Sequence, residues 1–321
     1  MKSTMPSALE VLNSRAKQKK RTGTYKDSYK LALAVEGGGM MGVISAGMLL
    51  AINDLELLDL FDVYVGSSSG SINLAYILGE YPEEGLSVYY DHLINHKHVD
   101  SFRLVKGEYA IDLKGLERIM KKVIPSPIPN ILKNYKDKYF ITTTRIKPVE
   151  GILISAGEAN KDLLNYLIAG ATIPYIDGSP RTINKTKYCD GGFAYPDLRM
   201  AALELDSTHL FILSTQPGNK KMARYDDFRS RTYKTLLSGR YKNLQKFWIE
   251  RLEAEKVLLN GSEIFISQIN SHQVTVHHNQ HKVGNFSKDQ WILVDGARKG
   301  YEAVVKMFIK EATVGLVPEI L

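Results

Sequence analysis

The chain has 321 residues, 44% hydrophobic and 24% charged, with a single cysteine, Cys189. That balance excludes a disordered chain and a disulfide-stapled scaffold, and a lone thiol fits a reducing, cytoplasmic setting. The net charge of +7 is uneven: residues 1–29 carry seven Lys/Arg against two acids, residues 219–251 carry ten against three, and the remainder sums to −5.

Residues 1–29 lack the apolar stretch of a secretory signal and read as a basic, loosely ordered arm with one short helix near Ser7–Ser14. Their acid-poor character leaves an organelle transit peptide as the alternative. Leu31–Ile52 has the length of a membrane span, but Glu36 and five glycines divide it into strand, glycine turn and helix. Lys30–Val35 is the strand. Val43–Leu55 is the helix, with apolar residues at Ile44, Met48, Leu49, Ile52 and Leu55. Phe61–Val65 reads as a second strand and Ile72–Ile77 as a second helix, joined by the turn Gly66–Gly70. Two successive strand–turn–helix units predict a parallel α/β sheet.

Farther along, Pro82–His96 and Asp112–Val123 read as helices, and the prolines of the following KVIPSPIP stretch end the second. Phe140–Thr144 and Gly151–Ser155 read as strands, Lys161–Ala171 as a helix, and Lys187–Cys189 as a hairpin-like strand entering Asp190-Gly191-Gly192. His209–Ser214 is another strand and Arg224–Leu259 a long, basic, aromatic-rich helical region. A short strand at Ile264–Ile266 and a helix over Asp295–Ile309 close the chain. No Pro/Ser/Gly-rich linker divides residues 30–321, which read as one three-layer α/β/α domain with a central, mostly parallel sheet.

Three segments have the composition of a reactive site. Gly66-Ser67-Ser68-Ser69-Gly70 fits G-x-S-x-G, in which a sharp strand-to-helix turn holds the central serine, Ser68, at a helix start near backbone N–H groups. A helix-capping serine loop is the competing reading. Glu36-Gly37-Gly38-Gly39-Met40-Met41-Gly42 leaves approachable amides after a buried strand, which suits an oxyanion hole. Gly37, Gly39 and Gly42 also satisfy the dinucleotide fingerprint G-x-G-x-x-G. That fingerprint wants an acid at the end of the next strand, and Asp62 stands at its beginning. Asp190-Gly191-Gly192, taken alone, reads first as an ordinary turn, and Asp177-Gly178 reads as a second turn of the same kind.

Together, the glycine loop, the serine elbow after the next strand and the distant Asp-Gly-Gly resemble the patatin-like phospholipase family, from about Leu31 to Leu213. The resemblance implies a serine acyl hydrolase with a Ser–Asp dyad and no histidine. Ser68 would be the nucleophile, Asp190 the base, and Gly37, Gly38, Gly39 and Met40 the oxyanion-hole positions. Gly42, Gly66, Gly70, Gly191 and Gly192 would support the motifs. Ala171-Thr172-Ile173-Pro174 looks like the family's segment before the Asp-Gly-Gly. Glu36 replaces the usual aspartate and Met41 the usual basic residue, which puts ordinary phospholipid preference in question more than acyl transfer itself. The implied substrate is a lipid or other acyl ester, and the chemistry needs no metal or cofactor. Passage of the acyl group to an acceptor other than water, or a non-catalytic lipid-binding role, are the alternatives.

His92 and His96 have metal-compatible i, i+4 spacing without a supporting motif. His272, His277, His278 and His281 follow Asp190, an order that would also permit a Ser…Asp…His triad. In residues 219–251 six aromatic side chains alternate with the cations; an amphipathic helix packing them inward is the first reading and a membrane-surface face the second. No recognition motif accompanies the charge, so nucleic acid is not expected. With the arm, this segment could dock the chain peripherally on an anionic membrane surface.

Overall fold

The computed structural model describes residues 6–95, 98–100, 106, 109–215, 234–235, 237–261 and 283–313. Its strands are β1 (Leu31–Val35), β2 (Val63–Gly66), β3 (Tyr139–Ile146), β4 (Val149–Ser155), β5 (Arg181–Ile183), β6 (Thr186–Asp190) and β7 (His209–Leu213). They form one mixed sheet in the order β5-β6-β3-β2-β1-β7, with β4 also paired to β3. β7, β1, β2 and β3 run parallel, with Leu33 opposite both Tyr64 and Phe211. The pairs β3–β4, β3–β6 and β5–β6 are antiparallel. The sheet is thus mostly parallel, as expected, with hairpins added at one side.

β1 shows why the sheet lies between helices. All five of its residues are fully buried. Leu31, Leu33 and Val35 join the core built with α2 (Gly42–Asp54) and α3 (Ser69–Leu78), whereas Ala32 and Ala34 meet Leu198, Ala201 and Ala202. Alternate side chains of a strand point to opposite faces, so apolar residues throughout β1 require cover on both.

α1 (Ala8–Thr22) is longer than the expected Ser7–Ser14 helix and is docked rather than loosely ordered. Ser7 and Glu10 form a capping box at its start, and Gly23 closes it in the left-handed conformation. Ala8, Val11 and Leu12 enter the core. Arg15 is almost wholly buried and donates to Asp27, Asp62 and the carbonyls of Leu60 and Tyr29. Those partners are distant in sequence, so a basic composition alone does not reveal them.

The remaining helices used below are α4 (Leu163–Gly170), α5 (Leu198–Glu204), α6 (Lys242–Gly261) and α7 (Gln290–Thr313). α5 was not expected. The region expected as one helix over Pro82–His96 is instead Pro82–Ser87, a wider turn over Val88–His92 and Leu93–Asn95. α7 crosses α2 at very close range. A Cβ on Gly47 would lie 2.0 Å from the Ala297 carbonyl oxygen, and one on Gly300 would lie 2.2 Å from that of Ile44. Only glycine permits backbones to approach so closely. Among the described residues no helix is long and apolar enough to cross a membrane.

Candidate active site

Ser68 stands between β2 and α3 with φ 54° and ψ −132°. A non-glycine residue with positive φ is strained, and the strain is held by packing on both sides of the turn. A Cβ on Gly70 would lie 2.2 Å from the Val35 carbonyl oxygen, so the first turn of α3 rests directly on the end of β1. Gly66, at the end of β2, faces Ser71 just as closely. Ser68 itself is half-buried, whereas Ser67 and Ser69 are buried.

The glycine loop lies against this elbow. A Cβ on Gly37 would be 2.6 Å from the Ser67 carbonyl oxygen, 2.7 Å from the Ser69 nitrogen and 2.9 Å from the Ser68 Cβ. Gly38 and Gly39 have φ of 134° and 60°. The Thr215 hydroxyl holds the loop from β7 by donating to the Gly37 carbonyl at 2.5 Å, and Ser214 donates to the Glu36 carboxylate at 2.6 Å. The glutamate standing for the family's aspartate is therefore anchored. Met40 sits differently from the other three oxyanion positions expected. Its N–H donates to the Asn285 carbonyl at 3.1 Å and its side chain is buried, so that amide is already engaged. Met41 is buried too and lies near Gly38. Gly42 starts α2, where a Cβ would strike the Ser69 and Tyr89 hydroxyls.

Asp190 ends β6, antiparallel to β3 and opposite Thr143. Its backbone is fixed at both ends: its N–H donates to the Thr172 carbonyl at 2.8 Å and its carbonyl accepts from the Thr144 hydroxyl at 2.8 Å. Its Oδ1 accepts from the Gly192 N–H at 2.7 Å, while Oδ2 has no partner of good hydrogen-bond geometry. Gly191 packs on Thr142 of β3. Burial pushes the Asp190 pKa up to about 6, against the opposing pull of the Gly192 amide and the Ser68 hydroxyl. A carboxylate near pKa 6 is a stronger base than an exposed one and is still mostly ionised at neutral pH.

Ser68, Asp190, Gly37, Gly38, Gly39 and Gly192 all line one cleft of about 230 Å³. A water occupies about 30 Å³, so the cleft has room for an ester group. Thr215 and Asn285 also line it, and nothing in the sequence marked them; so does Trp248, one of the six aromatic side chains of the basic segment. Trp248, on α6, packs edge-on against Phe193 at 5.9 Å between ring centroids. Leu244, Trp248 and Leu252 are buried together, so the described part of the basic segment turns its apolar residues inward. Residues 219–233 and 236 of that segment lie outside the described residues, as do His96, the four histidines from His272 to His281 and the strand expected at 264–266.

A second, narrower cavity also begins at Ser68 and Gly39. Its walls are mainly apolar, formed by residues such as Ile72, Val88, Ile111, Leu116 and Ile176, with Asp177 among them. Among the described residues no three His, Cys, Asp or Glu side chains are grouped so as to hold a metal ion. His98 instead pairs with Asp112 at 3.0 Å.

Residues 33–203 match a family profile described as patatin-like phospholipase. The uncharacterized protein YjjU of Escherichia coli K12 is 24% identical over 192 residues, covering 59% of this chain and 53% of that protein. The chain thus spans about half the length of the curated relative it matches. Among solved structures, VipD from Legionella pneumophila has a TM-score of 0.45 at 12% identity, covering 88% of this chain and 67% of VipD. ExoU of the Pseudomonas aeruginosa type III secretion system, in complex with SpcU, has a TM-score of 0.28 at 11% identity, covering 70% of this chain and 53% of that one.

Proposed function

Since the chain belongs to the patatin-like phospholipase family, we propose that it is a serine acyl hydrolase that cleaves a lipid ester through Ser68 and Asp190. The observation that carries this reading is the meeting, in one cleft, of a strained serine, a buried carboxylate of raised pKa and a bare glycine loop. Asp190 Oδ2 takes the proton as the Ser68 Oγ attacks the ester carbonyl. Amides of the Gly37–Gly39 loop stabilise the oxyanion. Collapse of the tetrahedral intermediate expels the alcohol, which leaves with the proton held by Asp190, and Ser68 carries the acyl group. Water, deprotonated by Asp190, then attacks the acyl-enzyme; free acid leaves and the proton returns to Ser68 Oγ. The apolar cavity beside Ser68 is the place for the acyl chain, and the open cleft the place for the alcohol portion.

A fluorophosphonate probe and a panel of fatty acyl esters test the reading. Ser68 is the residue expected to be labelled, and Ser68→Ala should abolish both labelling and turnover. Folded protein that neither labels nor cleaves any ester would overturn it. Mass spectrometry of the products separates transfer to water from transfer to another acceptor.

A further inference from the structure

Asp177 has the sequence of an ordinary turn residue, yet it lies in the wall of the cavity beside Ser68 and is only 6% exposed. Its Oδ2 accepts from the Ile173 N–H at 3.3 Å, and its own N–H donates to the Ile173 carbonyl at 3.0 Å. Its other oxygen, Oδ1, is buried with no hydrogen-bond partner. The surrounding walls are largely apolar, with Ile111, Leu116, Ile173 and Ile176 among them, and Ser68, Ser69, Tyr89 and Asn285 are their other polar residues. Burial and the neighbouring Asp190 push the Asp177 carboxyl well above the usual carboxylate range, which favours its neutral form. A neutral carboxyl can both donate and accept.

An unsubstituted acyl chain would lay methylenes against Oδ1 and leave its lost hydration uncompensated. A hydroxyl on the chain would supply the missing partner. Asp177 lines the same small cavity as Ser68 and Gly39, and the Asp190 N–H is bonded to Thr172 of the loop that carries Asp177. The polar group must therefore sit near the carbonyl end of the chain. We propose that the cavity beside Ser68 selects acyl chains carrying a hydroxyl near the ester carbonyl, and that Asp177 is the residue that recognises it. This rests on the reading of Ser68 as the nucleophile.

The test compares kcat/KM for p-nitrophenyl decanoate and p-nitrophenyl 3-hydroxydecanoate. The parent protein should favour the hydroxylated ester about tenfold, the scale of one well-made neutral hydrogen bond. Asp177→Asn, which keeps a donor and an acceptor, should retain a preference, and Asp177→Leu should bring the ratio to about one. Equal rates in the parent, or a preference that survives in folded Asp177→Leu, would overturn the proposal. If neither ester is cleaved, the hydrolase reading fails separately. Displacement of a fluorescent fatty acid from the parent chain then decides: 3-hydroxydecanoate should compete about tenfold better than decanoate, and equal competition refutes the selection.

Discussion

Replacing Asp190 with Asn should give a stability advantage over the parent that grows as pH rises, while removing the proposed base. The parent carboxyl is buried, and burial raises its pKa to about 6 against an ordinary 3.8. The unfolded chain therefore ionises first. Stability conferred by the neutral acid is complete below about pH 4 and is lost as pH climbs through about 6. At 1.36 kcal/mol per pKa unit the full loss is about 3 kcal/mol. Asn cannot titrate. Whatever constant difference the amide makes, the gap between variant and parent should widen in favour of the variant by about 2–3 kcal/mol from pH 4 to pH 8. Asn can keep the bond from the Gly192 N–H through its own oxygen, so that constant term should be small. Urea denaturation at several pH values, followed by circular dichroism, measures the gap. A difference that stays flat, or that shrinks with rising pH, would refute the idea that Asp190 is held as a desolvated base. In the same titration kcat/KM of the parent should rise through about pH 6 and then level, since the ionised carboxylate is the active form.

Three further outcomes are expected. Gly37→Ala pushes a methyl to 2.6 Å from the Ser67 carbonyl oxygen, and it should lower kcat about 100-fold and stability by about 1–3 kcal/mol; ester kinetics and thermal melting read both, and a fully active variant would contradict the packing of loop on elbow. Arg15→Met strands two carboxylates and two carbonyls, and should cost about 3 kcal/mol in urea denaturation; a loss below about 1 kcal/mol would mean that α1 is not anchored by this cluster. Cys189 is buried and its thiol is pushed up by desolvation, so iodoacetamide should leave the native protein unmodified and alkylate one thiol in guanidinium; rapid native labelling would show that β6 opens.

The chemistry-bearing turns were legible because they are local. G-x-S-x-G after a strand and a glycine run after a buried strand carry their geometry in consecutive residues, and β1, β2 and α3 fall within a few residues of expectation. What was not legible depends on distant partners. Asp190 reads alone as a turn and gains its raised pKa only from burial in the folded chain, where β3 and the Thr172 carbonyl hold its backbone. Asp177 reads as a turn for the same reason, since burial cannot be read from an Asp-Gly pair. The basic charge near the N-terminus suggested a loose arm, but one of its cations, Arg15, is committed to an internal cluster whose acids lie 12 and 47 residues away. Met40 matches a motif position, yet its amide is taken by Asn285, a residue far beyond the motif.

The crossing of α2 and α7 bears on how this chain may be cut. The profile match ends at residue 203, and a fragment drawn to that boundary would look complete on paper. It would nevertheless lack Ala297 and Gly300, which fill the groove left by Gly47 and Ile44, and Asn285, which receives the Met40 N–H. The helix that begins at the glycine loop would then show a bare groove to solvent at the level of its second turn, and the loop would lose its outer brace. Expression of 33–203 alone should yield an aggregating product, since it also lacks β7, the parallel partner of β1. Fragment design for this protein is thus governed by β7 and by the backbone crossing of α2 and α7, both beyond the span over which its motifs are recognised.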